Sequence, residues 1–126
     1  MGNLYVTNVT GVPISVNKFI INKENLNQDS TPLNSGSTTS WRYADSTAAN
    51  FDDMILTVSC NDSDYAIDLN RGHFFGDNDN AYPGADYDIN FVLMGFNGDE
   101  ISMMMVYRSS AGGIFNYCDD VKNLQS

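Results

Sequence analysis

Basic side chains are scarce in this chain of 126 residues: six Lys and Arg stand against 16 Asp and Glu, a formal net charge of -10. Nucleic-acid binding rests on Lys and Arg displacing counterions from phosphates, so no nucleic-acid partner is expected. The same deficit opposes docking on anionic lipid heads. Zwitterionic membrane lipids, neutral glycans and cations remain as partner classes; the competing account of the acidity is solubility alone. Histidine is nearly missing too. His73 is the only one, so any nucleophile–base pair built on histidine must use it. It sits in Arg71-Gly72-His73-Phe74-Phe75, a setting that fits a structural or surface histidine better than a general base. No G-x-S-x-G elbow, P-loop or H-E-x-x-H occurs. Asp pairs that could serve a glycosidase arise in any acidic chain and carry little weight. The chain is therefore expected not to be an enzyme, with no catalytic residue and no resident cofactor beyond a candidate calcium ion.

Cysteine is limited to Cys60 and Cys118, too few for a disulfide framework and without C-x-x-C spacing. Two free buried thiols are expected in preference to a bridge, since nothing marks an oxidising compartment. No segment approaches the ~18 apolar residues of a transmembrane helix. The opening residues 1–11 lack a basic region, an apolar run and a cleavage site, so no signal peptide is expected. The corresponding location is cytoplasm or an inclusion body, with release by a non-classical route as the alternative. Val6 stands where a myristoylation motif wants Ser or Thr. Asn8 and Asn61 open N-x-[ST] sequons, which matter only in a secretory host.

What is present is apolar alternation. Hydrophobic residues make up 42% of the chain, and they recur at every second position between clusters of Gly, Asn, Asp, Pro and Ser, the pattern of many short strands. Strands are predicted over 4–9, 13–22, 38–43, 54–60, 65–69, 87–96, 101–108 and 113–118. Met54, Leu56, Val58 and Cys60 form one stripe, Tyr87, Ile89, Phe91 and Leu93 a second, and Ile101, Met103, Met105 and Tyr107 a third. Each stripe faces one side of its strand. Met104 then faces away from its neighbours, and burial on both sides of the strand accounts for the methionine run. Asn97-Gly98-Asp99 signals a hairpin, and Val9-Thr10-Gly11 suggests another between the first two strands. Residues 23–36, 44–53 and 72–85 read as polar surface connections. The tail from 119 is expected to form a helical turn or to fray. With no crossover helix in sight, pairing should be mostly antiparallel. The expected fold is all-β, an antiparallel β-sandwich of about eight short strands forming one domain over 1–126, with a small barrel as the alternative closure.

Two groups of residues could carry binding chemistry. The acidic segment 76–88 holds Asp77, Asp79, Asp86 and Asp88. Hard oxygen ligands spaced two apart can converge on calcium when the backbone curls around it. Ala81 and Tyr82 depart from an EF-hand pattern, and the competing reading is a solvated loop that caps its own turns. The second group is Trp41, Arg42 and Tyr43. Exposed together, they would suit headgroup depth at a membrane or stacking on a sugar ring; the alternative is that Trp41 caps one end of the core.

The stretch Leu4-Tyr5-Val6-Thr7-Asn8-Val9-Thr10-Gly11-Val12-Pro13-Ile14 resembles the first hairpin of aegerolysins and of the related small insecticidal crystal proteins. Leu33 to Asp45, through Ser40-Trp41-Arg42-Tyr43, is similar to the segment of those proteins in which a polar loop leads into a strand and an acidic turn. Trp41 stands alone where aegerolysins carry several tryptophans, so no lipid-binding residue is carried over. The resemblance implies a β-sandwich that binds membrane lipids and works with a second toxin component. The leading expectation is therefore a non-enzymatic, membrane-binding or insecticidal toxin component. The alternatives are a lectin-like glycan binder dependent on calcium, and a homo-oligomeric inclusion or crystal protein.

Overall fold

A computed structural model describes residues 2–21, 24–43, 54–69, 88–108 and 114–124. These residues contain ten strands and no helix: β1 (Gly2–Asn8), β2 (Ile14–Ile21), β3 (Glu24–Asn25), β4 (Thr31–Leu33), β5 (Thr38–Tyr43), β6 (Met54–Cys60), β7 (Ser63–Asp68), β8 (Ile89–Asn97), β9 (Glu100–Arg108) and β10 (Ile114–Lys122). Sheet A has the order β10-β9-β8-β1-β5; sheet B has β3-β2-β6-β7, with β4 also paired to β2. The fold is all-β and of β-sandwich type, as the alternation requires. Every strand pair is antiparallel except β1 with β8, which run parallel.

β3 and β4 arise inside the segment 23–36 that reads as a loop. Two- and three-residue strands are too short to show alternation. Pro32 fits in β4 because that strand pairs only with β2 and needs no donor on its outer side. Val9-Thr10-Gly11 does not close a hairpin, because β1 and β2 belong to different sheets. Gly11, at φ 89, helps turn the chain from one layer to the other. The tail is corrected as well: residues 119–122 continue β10, and Asn123 bridges Ile67 of sheet B.

The core lies between the sheets and follows the predicted stripes. Met54, Leu56 and Val58 are buried, as are Ile89, Phe91 and Leu93, and Ile101, Met103 and Met105. In β2 the inward set changes phase, from Ile14 and Val16 to Phe19 and Ile21, because a bulge shifts the register between Val16 and Lys18. Without that extra residue Phe19 would face solvent. The buried Asn27 amide fills the irregularity, with Nδ2 donating to the Val16 and Asn17 carbonyls at 2.9 and 3.2 Å. Phe19 then anchors the aromatic centre, edge-on to Trp41 at 5.0 Å and to Phe91 at 6.1 Å.

Candidate binding face

Alternation inside sheet A decides what its outer surface carries. Leu4 and Val6 of β1 and Phe91 of β8 are buried, so Tyr5, Thr7, Asn90 and Val92 face outward. The register then sets rows across the strands. Tyr5 lies between Ser40 of β5 and Asn90 of β8, and Thr7 between Thr38 and Val92. Val92 stands opposite Met104, and Asn90 opposite Val106. Met104 in turn meets Cys118 on β10.

The face divides by chemistry. Towards β10 it is apolar: Val92, Met104 and Val106 are half-buried, and Met94 is 36% exposed. Met94, Ser102, Cys118 and Asp120 line an open depression of about 320 Å³ there, with the Ser102 hydroxyl donating to Asp120 Oδ1 at 2.6 Å. Towards β5 the face is polar: Thr38, Ser40 and Arg42 are exposed, and Asn3, Tyr5, Thr7 and Asn90 are half-buried. Here the Thr7 hydroxyl lies 2.8 Å from that of Thr38 and donates to Asn90 Oδ1 at 2.9 Å. Asp88, at the same end as Arg42, is exposed, and its Oδ1 accepts the Asn3 backbone N–H at 2.8 Å.

The fold separates Trp41 from Arg42. Trp41 pairs with buried Leu4 and packs half-buried against Phe19, whereas Arg42 is exposed on the opposite side of β5. Tyr43 ends β5, and its side chain lies outside the described residues. Of the acidic group only Asp88 is described; Asp77, Asp79 and Asp86 lie outside the described residues, as does His73. Among the described residues no three His, Cys, Asp or Glu side chains come together as a metal site. No motif in the sequence marks Tyr5 or Asn90 for binding. The signal for Tyr5 was present, since burial of Leu4 and Val6 leaves their neighbours on the outside.

Both thiols are free; Cys60 is buried and Cys118 is exposed, which corrects the expectation of two buried thiols. Met104 likewise is only half-buried, on the outer face. Burial pushes the Cys60 thiol above its ordinary range. The two sequons differ in the same way. Asn8 is fully buried with its amide engaged, whereas Asn61 is exposed in the β6–β7 turn, where Asn61 and Asp62 take φ of 51 and 64. A second open cleft, of about 460 Å³, lies beside that turn and is lined by Pro13, Ser15, Asp62 and Asp64 among others. Comparison of the chain with family models, curated proteins and solved structures gives no match.

Proposed function

We propose that the chain is a non-enzymatic binding module that meets a zwitterionic membrane surface through the outer face of sheet A. The observation that carries this reading is the apolar half of that face. Val92, Met94, Met104 and Val106 keep partial contact with water beside Tyr5 instead of turning into the core. Contiguous apolar side chains left on a flat surface favour a partner there, and an amphipathic tyrosine suits headgroup depth. The net charge of -10 selects zwitterionic over anionic lipid. The resemblance to aegerolysins and small insecticidal crystal proteins supports the same reading and adds a second toxin component as the partner on the membrane.

The test is co-sedimentation with phosphatidylcholine vesicles and with vesicles enriched in phosphatidylserine, in calcium and in chelator. Pelleting should occur on the first, fall on the second and survive chelation. Met104→Glu places a charge on the outer face without touching the core and should abolish pelleting while the circular dichroism spectrum is kept. No pelleting of the parent protein ends the membrane reading. A dimer on a sizing column that Met104→Glu dissociates would assign the face to self-assembly instead.

A further inference from the structure

We infer that the polar half of the outer face of sheet A docks a neutral saccharide. The inference rests on the reading of this face as a contact surface and adds the chemistry of what it contacts. Its basis is the direction of the hydrogen bonds. Thr7 has one hydroxyl proton and gives it to Asn90 Oδ1. The proton between Thr7 and Thr38, 2.8 Å apart, must therefore come from Thr38. The chain runs Thr38 to Thr7 to Asn90, and its two ends differ. Thr38 is left with open acceptor lone pairs, and Asn90 with its Nδ2 donors, which have no partner among the described residues.

Sugar hydroxyls donate and accept at once, so a row with donors fixed at one end and acceptors at the other matches them. Tyr5 lies beside that row, between Ser40 and Asn90, and supplies an aromatic surface for the apolar C–H face of a pyranose. Three adjacent strands span about 10 Å, room for one or two sugar rings. Charge narrows the ligand further. Arg42 and Asp88 lie at the same end of the face, one of each sign, on a protein of net charge -10. An acidic glycan or a phosphate group would meet that net charge without a cluster of basic residues, whereas a neutral sugar meets neither penalty.

The experiment is saturation-transfer NMR on the intact chain, free of vesicles, with lactose, cellobiose, mannobiose and N,N′-diacetylchitobiose each at up to about 10 mM, within reach of weak binding. At least one of them should give transfer. Asn90→Asp keeps the acceptor for Thr7 and removes the donors; Tyr5→Ala removes the platform while Tyr5→Phe keeps it. The first two should weaken binding about tenfold or more, and Tyr5→Phe should retain it. Melting temperatures close to the parent's would show that the variants fold. No transfer from any of the four sugars, or binding unmoved by both Asn90→Asp and Tyr5→Ala, overturns the inference. Failure here with intact pelleting on sugar-free phosphatidylcholine vesicles removes the saccharide site alone. Sugar binding without pelleting removes the membrane reading alone.

Discussion

Replacing Asn8 by alanine tests the junction between the two sheets. Asn8 ends β1 and is 0% exposed. Its Nδ2 donates to the Val12 carbonyl at 2.8 Å and to the Leu33 carbonyl at 3.0 Å. Its Oδ1 accepts the Thr10 backbone N–H at 3.0 Å and the Thr10 hydroxyl at 2.7 Å. One side chain thus ties the end of a sheet A strand to β4 of sheet B and holds the turn between them. In Asn8→Ala the Thr10 hydroxyl still reaches the Val12 carbonyl, at 3.1 Å, so those two groups keep a partner. The Leu33 carbonyl loses one of its donors and the Thr10 N–H loses its acceptor. At ~1–2 kcal/mol for each group left short of a partner, the loss is about 2–4 kcal/mol. For a chain of this size that corresponds to a fall in Tm of roughly 8–15 °C. Trp41, the only tryptophan, packs against the core and reports unfolding by its fluorescence. Urea melts should show a lower midpoint with an unchanged slope. Asn8→Asp should cost more than Asn8→Ala, because it keeps the acceptor but buries a charge where the donors were. A loss below ~1 kcal/mol at constant slope would refute the reasoning, because such a loss falls below the cost of even one orphaned buried group.

Two further outcomes are expected. Trp41→Ala should lower stability by about 2–3 kcal/mol, from lost packing and the edge-on contact with Phe19, and leave vesicle pelleting of the folded protein unchanged; the opposite pair of results would make Trp41 the anchor. A thiol reagent should modify Cys118 in the native protein and Cys60 only after denaturation. Because burial raises the Cys60 pKa above that of an ordinary thiol, the buried thiol holds its proton where the unfolded one gives it up. Its contribution is complete while the unfolded thiol stays protonated and declines as pH rises past the ordinary thiol range, so the stability gap between the parent and Cys60→Ala should narrow between neutral pH and alkaline conditions. A gap that is constant or widens would contradict the assignment.

Where strands are long and regular, the period of two carries the fold. The segments 38–43 and 54–60 coincide with β5 and β6. The inward set of β2 is harder to read, because the bulge between Val16 and Lys18 moves Phe19 to the face that simple alternation assigns to Lys18 and Ile20. The amides that make the bulge tolerable come from Asn25 and Asn27, in a segment whose composition signals only a loop. Adjacency in sequence misled at the site. Trp41 and Arg42 are neighbours, and for that reason they point to opposite sides of β5. Tyr5 and Asn90 are distant along the chain and become neighbours through the parallel pairing of β1 with β8, which no local pattern encodes. The Gly98 turn was legible and differs in detail. Gly98 occupies the first central position of a two-residue loop with φ 65, the type II′ pattern, so the glycine carries the positive φ and Asn97 does not.

The position of β1 also governs how the molecule is made. During synthesis β1 and β5 emerge well before β8, yet β1 has no second neighbour until residues 89–93 have left the ribosome. Until then sheet A is a two-stranded ribbon, marginal by itself, with Leu4, Val6 and Trp41 along the side that will be buried. A nascent chain arrested before β8 therefore leaves the β1 edge unpaired and the inner side of sheet B without the cover that Phe91 and its neighbours supply. Such chains should be held by chaperones or collect as aggregates, whereas a chain released after β10 acquires sheet A in one step that joins its earliest strand to its later ones.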